Sequence, residues 1–204
     1  MNTQAQGSNN YYKAASLYYL GTLPESIQTI GVVASYNLSN MPFNSLGNVK
    51  NLYGFYAFNN TSATGIQNLN TLKNIGNYAF YNTPAHPGTI QSSFGQVETI
   101  GNNAFWYLSS SGAITTTNFP SVKSIGSNAF VGFLYNLNLT FSSNLTNIAA
   151  GAFVNYESNV TYTIDFGNKE DAFAEPLQDF INTSTSGQYV LRAKSGSALY
   201  NQLV

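Results

Sequence analysis

The chain has 204 residues, of which 43% are hydrophobic, 15% are aromatic and only 7% are charged. A chain this apolar and this weakly charged has enough surface to bury a core, which argues against disorder. Seven basic and eight acidic residues give a net charge of −1, so composition offers no basic stripe for nucleic acid or an anionic membrane surface. The absence of cysteine excludes disulfides, thiolate metal sites and cysteine nucleophiles.

The N-terminal segment is polar. Residues 1–10 consist mainly of Asn, Gln, Gly, Ser and Thr and lack the basic and apolar parts of a signal peptide. Residues 11–20 carry Tyr and Ala at helical spacing, so we predict a polar tail and a capping helix over residues 1–22. The longest uncharged stretch, residues 124–156, is too rich in Asn, Ser and Thr to span a bilayer. We therefore expect no membrane insertion.

One pattern, apolar-x-x-Ile-Gly-x-x-Ala-Phe, recurs through residues 23–167. Four close copies place Ile at residues 30, 75, 100 and 125, and two looser copies surround Leu52 and Ile148. Such a unit of 22 to 25 residues is too short to bury its own apolar face, so successive units must stack around one core. The pattern predicts a mostly-β repeat solenoid. A β-sandwich would explain the alternation of apolar residues but not the fixed spacing.

The repeat also predicts the orientation of its residues. Its apolar, Ile, Ala and Phe positions should point into the core. Gly31, Gly76, Gly101 and Gly126 follow the Ile, where we expect a sharp turn and a glycine with positive φ.

A second extended segment lies between the copies. In Leu137–Phe141 apolar and polar residues alternate, which predicts a half-buried strand with Asn138 and Thr140 facing solvent. Stacked coils would align equivalent strands into a parallel ribbon of Thr, Asn, Gln and Ser, which we predict to bind the ligand. By the same offset the ribbon includes Gln91, Ser93, Thr116, Asn118, Thr163 and Asp165.

Aromatic residues follow several of the Ala-Phe pairs. Trp106, Tyr107 and Tyr135 either pack between coils or form an exposed stripe that contacts sugar rings or a protein. For Phe133 and Tyr156 we favour burial in the core.

Residues 168–204 are predicted to be a C-terminal cap made of a helix, a strand and a short helix. Pro176 can start the first helix, with Leu177 and Phe180 on its inner side. Five of the eight acids lie in residues 165–179. They could bind Ca²⁺, but EF-hand and RTX spacings are absent, so we favour a solvated face of the cap.

No residue set for catalysis is evident. His86 is the only histidine and sits in a turn-rich segment without a nearby acid, and Asp165 is the single acid of the ribbon. Glycine-rich nucleotide-binding motifs are missing. We therefore expect a protein that is not an enzyme and holds no cofactor or metal.

The repeats resemble those of a known family. Two segments carry the resemblance most clearly, Leu23-Pro24-x-Ser26-Ile27-x-x-Ile30-Gly31 and Phe119-Pro120-Ser121-Val122-x-x-Ile125-Gly126-x-x-Ala129-Phe130. They are similar to the BspA-type leucine-rich repeat family of bacterial cell-surface proteins, and residues 189–200 are similar to the element that often closes such arrays. The frequent Cys after Ala-Phe is absent, Ser35 replaces the first Phe, and Ala193 stands where Pro is usual.

The resemblance implies a right-handed leucine-rich superhelix of a secreted or surface protein, used for binding or adhesion. Our leading hypothesis is a module that recognises a protein on a host or other cell surface through the ribbon. Two alternatives remain open: carbohydrate binding by the aromatic stripe, and a structural spacer without a ligand.

Overall fold

Successive repeats fold into stacked coils, and the predicted mostly-β solenoid is confirmed. A computed structural model describes residues 21–22, 26, 28–30, 43–45, 49–52, 69–81, 94–107, 116–182 and 185–204. Several expectations concern residues outside these ranges, namely the N-terminal helix at 11–20, Gly31, Ser35, His86, Gln91 and Ser93.

The secondary structure of the described residues consists of short strands and a few helical turns. In chain order the elements are β1 (Gly21–Thr22), β2 (Thr29–Ile30), β3 (Phe43–Ser45), β4 (Asn51–Leu52), a 3-10 helix (Leu69–Thr71), β5 (Asn74–Ile75), β6 (Thr99–Ile100), β7 (Thr116–Phe119), β8 (Ser124–Ile125), β9 (Leu137–Phe141), β10 (Asn147–Ile148), β11 (Thr161–Asp165), α1 (Leu177–Phe180), β12 (Gln188–Arg192) and α2 (Ala198–Leu203).

Parallel pairing of these strands connects one coil to the next. One strand from each of the six repeat copies joins a sheet in the order β10-β8-β6-β5-β4-β2, which we call the short-strand sheet. A second sheet, the long-strand sheet, has the order β12-β11-β9-β7, and β1 pairs with β3. In the short-strand sheet Ile75 faces Ile100, which faces Ile125. Equivalent positions of the repeat are therefore neighbours in space.

Two columns of phenylalanine rings fill the core between the sheets. The repeat phenylalanines stack face to face, with centroid distances of 5.2 Å from Phe80 to Phe105 and from Phe105 to Phe130. Phenylalanines of the second extended segment stack beside them, at 5.2 Å from Phe94 to Phe119. The two columns touch edge to face at 6.0 Å between Phe94 and Phe105. All of these rings are fully buried, as the repeat pattern predicts.

The glycine of the repeat serves a purpose different from the predicted one. Gly76, Gly101 and Gly126 do not adopt positive φ; the left-handed residues come two positions later, at Tyr78, Asn103 and Asn128. Glycine is needed because the preceding coil comes very close. A Cβ added to Gly101 would lie 2.6 Å from the backbone nitrogen of Asn77. The prediction of positive φ at these glycines is therefore wrong, and steric clearance between coils is the reason for glycine.

The C-terminal segment closes the core after the last repeat. Phe173, Phe180 and Leu199 are buried in the same cluster as the repeat residues. Main-chain carbonyls of Asp179 and Phe180 accept hydrogen bonds from Gly151 and Phe153, as carbonyls of the next coil do elsewhere in the array. The helix α1 and its C-terminal end thus replace a further repeat.

Truncating one ring of the columns tests how far the stability of the fold depends on their stacking. Phe105→Ala should lower the free energy of unfolding by about 3–5 kcal/mol, because it removes a fully buried ring and leaves a cavity. Leu134→Ala, at a side chain that is 47% exposed, should change it by less than about 0.5 kcal/mol. Urea unfolding of the two variants gives the comparison, and equal effects would contradict the role of the columns.

The close approach of coils at the repeat glycine can be tested separately. Gly101→Ala should destabilise the fold by about 1–3 kcal/mol, since the backbone of Asn77 must move to admit the methyl group. The reverse change at the equivalent position of the last repeat, Ala149→Gly, should cost no more than about 1 kcal/mol. Thermal unfolding of both variants measures the two effects. An unchanged stability of Gly101→Ala would contradict the role of Gly101 in steric clearance between coils.

Candidate functional site

The long-strand sheet aligns mostly polar residues in two rows. Along β9 the residues alternate between buried and exposed, with Asn138 and Thr140 exposed. Strand register places Asn138 between Thr116 and Thr163, and it places Thr140 between Asn118 and Asp165. The predicted ribbon residues of the described strands are therefore brought together, about 4.8 Å apart from strand to strand.

Strand β12 extends both rows by one residue that the sequence analysis missed. Val190 faces Thr163 and Arg192 faces Asp165. We define the outer rows as these two lines of residues: Thr116, Asn138, Thr163 and Val190 in the first, and Asn118, Thr140, Asp165 and Arg192 in the second. The period-two alternation of Gln188–Arg192 is the sequence signal that could have identified both additions.

Charges in the outer rows are few and concentrated at one end. Asp165 and Arg192 have opposite charges and are register partners on adjacent strands. Oδ1 of Asp165 accepts a hydrogen bond from the main-chain nitrogen of Gly167 at 2.8 Å. The remainder of the rows is neutral, so hydrogen bonding dominates what this surface can offer.

Aromatic side chains form a separate cluster at the turns of the third and fourth repeats. Tyr81 meets Trp106 edge to face at 5.3 Å, and Trp106 stacks on Tyr107 at 5.5 Å. Tyr107 is 44% exposed. A Cβ at Gly132 would lie 2.7 Å from the Tyr107 ring, so the glycine of the next coil makes room for it. We call Tyr81, Trp106 and Tyr107 the aromatic cluster.

The other aromatic candidates divide between core and surface. Phe133 is buried, as favoured, and contacts the rings of Phe130 and Tyr162. Tyr135 is exposed. Tyr156 is also exposed, which contradicts the burial we favoured. The reason is that Asn155 takes the inner position, where its amide nitrogen donates to the carbonyl of Val160 at 2.8 Å.

Two buried polar atoms in the turn that carries Trp106 and Tyr107 have no hydrogen-bond partner in the described part of the chain. They are Oδ1 of Asn103 and Nε1 of Trp106. Both belong to the same turn, and only 8% of the surface of Asn103 is exposed. Both atoms are buried from solvent, so a ligand on the surface does not reach them.

A groove of about 500 Å³ follows the short-strand sheet and was not predicted from sequence. Its polar side chains bond mainly to each other across coils. Nδ2 of Asn74 donates to Oδ1 of Asn51, and Oγ1 of Thr99 donates to Oδ1 of Asn74, both at 2.6 Å. Because these hydrogen bonds join one coil to the next, the ladder stabilises stacking and has little capacity left for a ligand.

Stacking also assembles a row of charges, although composition gave no reason to expect a basic stripe. Main-chain hydrogen bonds join equivalent residues of successive coils in the series Gln28, Lys50, Lys73, Glu98, Lys123 and Thr146. From Lys50 onward, each residue donates its main-chain N–H to the carbonyl of its equivalent in the preceding coil. Half of the six lysines therefore lie in one exposed line, which we call the lysine row. Nζ of Lys123 pairs with Glu98 at 2.6 Å. This hydrogen bond and the charge of Lys123 lower the pKa of the Glu98 carboxyl.

Two tyrosines of the long-strand sheet point inward beneath the outer rows. Burial raises the pKa of Tyr162, whose hydroxyl oxygen accepts a hydrogen bond from the main-chain nitrogen of Phe133 at 3.1 Å. Burial also raises the pKa of Tyr189. Its hydroxyl donates to the carbonyl of Phe153 and accepts from the main-chain nitrogen of Asn155. Both hydroxyls join β11 and β12 to the preceding coil.

Neither a metal centre nor a membrane-spanning element emerges from the described ranges. No three or more His, Asp or Glu side chains among those residues are placed to hold a metal ion. The acids of the cap are instead spread over its surface, where Glu170 pairs with Lys194. In the same part of the chain, no helix combines the length and the apolar character needed to cross a bilayer.

A family model for the BspA-type leucine-rich repeat region matches this chain with six copies, over residues 5–130 and 98–175. These matches span most of the chain, and the matched ranges include all six strands of the short-strand sheet. The chain therefore belongs to the BspA-type leucine-rich repeat family. No curated protein and no solved structure matches it.

The buried tyrosines predict how stability depends on pH. The folded state opposes ionisation of Tyr162 because burial raises the pKa of its hydroxyl. The contribution of Tyr162 to the free energy of unfolding is therefore complete below the ordinary tyrosine pKa of about 10 and is lost as the pH rises above that value. Tyr162→Phe should flatten this alkaline loss. At neutral pH it should cost about 1–3 kcal/mol, because the N–H of Phe133 loses its acceptor.

Urea unfolding between pH 7 and 11 measures both effects. The exposed Tyr135 provides a control at neutral pH, where Tyr135→Phe should change stability by less than about 0.5 kcal/mol. An unchanged alkaline slope in Tyr162→Phe would contradict the assignment.

Proposed function

We propose that this chain is a non-catalytic binding module of a secreted or surface-exposed bacterial protein, and that its outer rows recognise a protein on a host or other cell surface. The observation that carries the proposal is the register of the long-strand sheet. It aligns residues of four strands, most of them polar, into two continuous rows.

Rigidity supports this use of the outer rows. Strands β7, β9 and β11 end in the stacked rings Phe119, Phe141 and Phe166 or lead directly into them. Side chains on such a backbone lose little main-chain entropy when they bind a partner. Neighbours within a row are spaced as adjacent strands of a sheet are, and the two rows are spaced as alternate residues of an extended chain are.

The chemistry of the rows favours recognition by hydrogen bonds over electrostatic steering. Asn and Thr both donate and accept hydrogen bonds, and they cover most of the surface. Charged groups enter only at Asp165 and Arg192. A partner with a neutral polar surface and one complementary ion pair would fit this arrangement.

Acid–base catalysis has little support in the outer rows. Hydrolysis of a glycosidic bond normally needs two carboxyl groups, one on each side of the bond. Asp165 is the only acid in the rows, and one of its oxygens is already hydrogen-bonded to the main chain. Binding is therefore the function that these residues favour.

Carbohydrate binding by the aromatic cluster is the second candidate. A sugar ring stacks on an aromatic face, and its hydroxyls need hydrogen-bond partners beside that face. Tyr107 is 44% exposed and stacks on Trp106, so it is the member of the aromatic cluster that a sugar ring can reach. This exposed aromatic side chain supports a neutral glycan as ligand.

The outer rows can be tested with the double variant Asn138→Lys and Thr140→Lys. Binding of the fluorescently labelled protein to cultured epithelial cells, measured by flow cytometry, should fall at least tenfold, since two bulky charges replace residues at the centre of the contact. The matched control is Asn159→Lys and Asn168→Lys, which adds equal charge at exposed turn positions. Equal loss in both variants, or none in either, would move the site elsewhere.

Protease and fluorescence measurements separate the protein partner from the glycan. Trypsin treatment of the cells should abolish binding to a protein partner. Trp106 is the only tryptophan, so its emission reports on the aromatic cluster alone. A spectral change during titration with neutral oligosaccharides would favour the second candidate. Absence of binding to treated and untreated cells, without any spectral change, would favour a spacer.

A further inference from the structure

A shallow groove of about 290 Å³ runs between the two sheets, on the segments that connect long strands to short strands. Six side chains line it: Lys73, Gln96, Glu98, Ser121, Lys123 and Asn144. We propose that this groove binds a linear acidic glycan, with the lysine row holding the carboxylates and the opposite wall bonding the hydroxyls. The site does not use the outer rows and is independent of the function proposed above.

The two walls of the groove come from fixed positions of the repeat. Gln96 and Glu98 flank the fully buried Val97, and Ser121 and Lys123 flank the fully buried Val122. One wall is therefore neutral and polar, and the other is the charged lysine row. Because the positions recur in successive coils, the groove runs along the stack and suits an elongated ligand.

Hydrogen bonds to the neighbouring coil hold the neutral wall in place. Oγ of Ser121 donates to the carbonyl of Gly95 at 2.6 Å, and Nδ2 of Asn144 donates to the carbonyl of Pro120 at 2.9 Å. Each of these contacts uses a donor and leaves oxygen lone pairs. Hydroxyl groups of a sugar can donate to those oxygens without breaking the contacts.

The charged wall is positive on balance. In the groove its charges are those of Lys73, Lys123 and Glu98, and Lys50 continues the row on the preceding coil. Within the described residues, neither Lys50 nor Lys73 has an acidic partner within 4.0 Å. The acids of the chain are concentrated elsewhere, since six of the eight lie beyond residue 150. A polyanion is thus repelled from the cap and attracted to the lysine row.

The spacing of the lysines favours separated charges on the ligand. Lys73 and Lys123 lie two coils apart, which is about 10 Å at the usual distance between strands. Glu98 occupies the coil between them and would repel a charge at that level. A glycan in which acidic and neutral sugars alternate matches this order, because its carboxylates are one disaccharide repeat apart.

Single-stranded nucleic acid fits the groove less well. Its phosphates form a continuous line of charge, which Glu98 would interrupt, and its bases require aromatic side chains for stacking. None of the six lining residues is aromatic. The glycan is therefore the ligand class that we adopt.

Calorimetric titration of the whole chain with a hyaluronan octasaccharide, which carries a carboxylate on every second sugar, tests the site. We expect binding that weakens as NaCl is raised, and no binding of the uncharged N-acetylglucosamine hexamer. The double variant Lys73→Gln and Lys123→Gln should lose at least tenfold in affinity. Glu98→Gln should gain about threefold, because it removes a repulsive charge and releases Lys123.

Lys194→Gln is the matched control, since Lys194 forms the same kind of exposed pair with Glu170 on the cap. Lys194→Gln should bind the glycan as the original chain does. The double variant Asn138→Lys and Thr140→Lys should also bind it, because loss of cell binding in that variant tests only the outer rows. Undiminished affinity in the double lysine variant, or weaker binding in Glu98→Gln, would overturn the proposal. Equally tight binding of oligo-dT through the same lysines would overturn the assignment to a glycan.

Discussion

Phenylalanine rings from neighbouring coils stack face to face, and this contact holds the solenoid in register. Centroid distances of 5.2 Å from Phe80 to Phe105 and from Phe105 to Phe130 match the separation of paired strands. Main-chain hydrogen bonds and aromatic stacking therefore require the same rise from coil to coil. A coil displaced by one residue would lose both, since its phenylalanine would turn away from the column. Gly101 belongs to the same constraint, because any side chain there would force two coils apart.

Register turns a pattern along the chain into rows across the surface. A residue type that recurs at one position of the repeat becomes a line of similar groups about 4.8 Å apart. The outer rows, the ladder of Asn74 and Thr99, and the lysine row all arise in this way. A weakly charged chain can thus concentrate three of its six lysines in one line without raising its net charge.

Side-chain hydrogen bonds between coils explain one of the polar rows, whereas exposure to solvent marks the candidate binding surfaces. The ladder of Asn51, Asn74 and Thr99 uses its side chains between coils, and its conspicuous groove is therefore better explained by stacking than by a ligand. Exposed Asn138 and Thr140 face solvent from a rigid strand. In the turn of the aromatic cluster, Asn103 and Trp106 each bury a polar atom that has no hydrogen-bond partner among the described residues. The two proposed sites and the second candidate therefore rest on different physical observations and can fail separately.

Local periodicity was enough to predict the solenoid, the inward positions of Ile100, Ala104 and Phe105, and the outward positions of Asn138 and Thr140. These features depend only on alternation and on a unit too small to fold alone. Pairing between coils is a different matter, because coil lengths vary and the partner of each residue is set by register. Only the folded chain could reveal that Arg192 faces Asp165, that lysines of separate repeats are neighbours, and that Gly101 avoids a clash with Asn77. Each of these contacts joins residues more than twenty positions apart. The local sequence around either residue does not specify its partner, which is decided by packing in three dimensions.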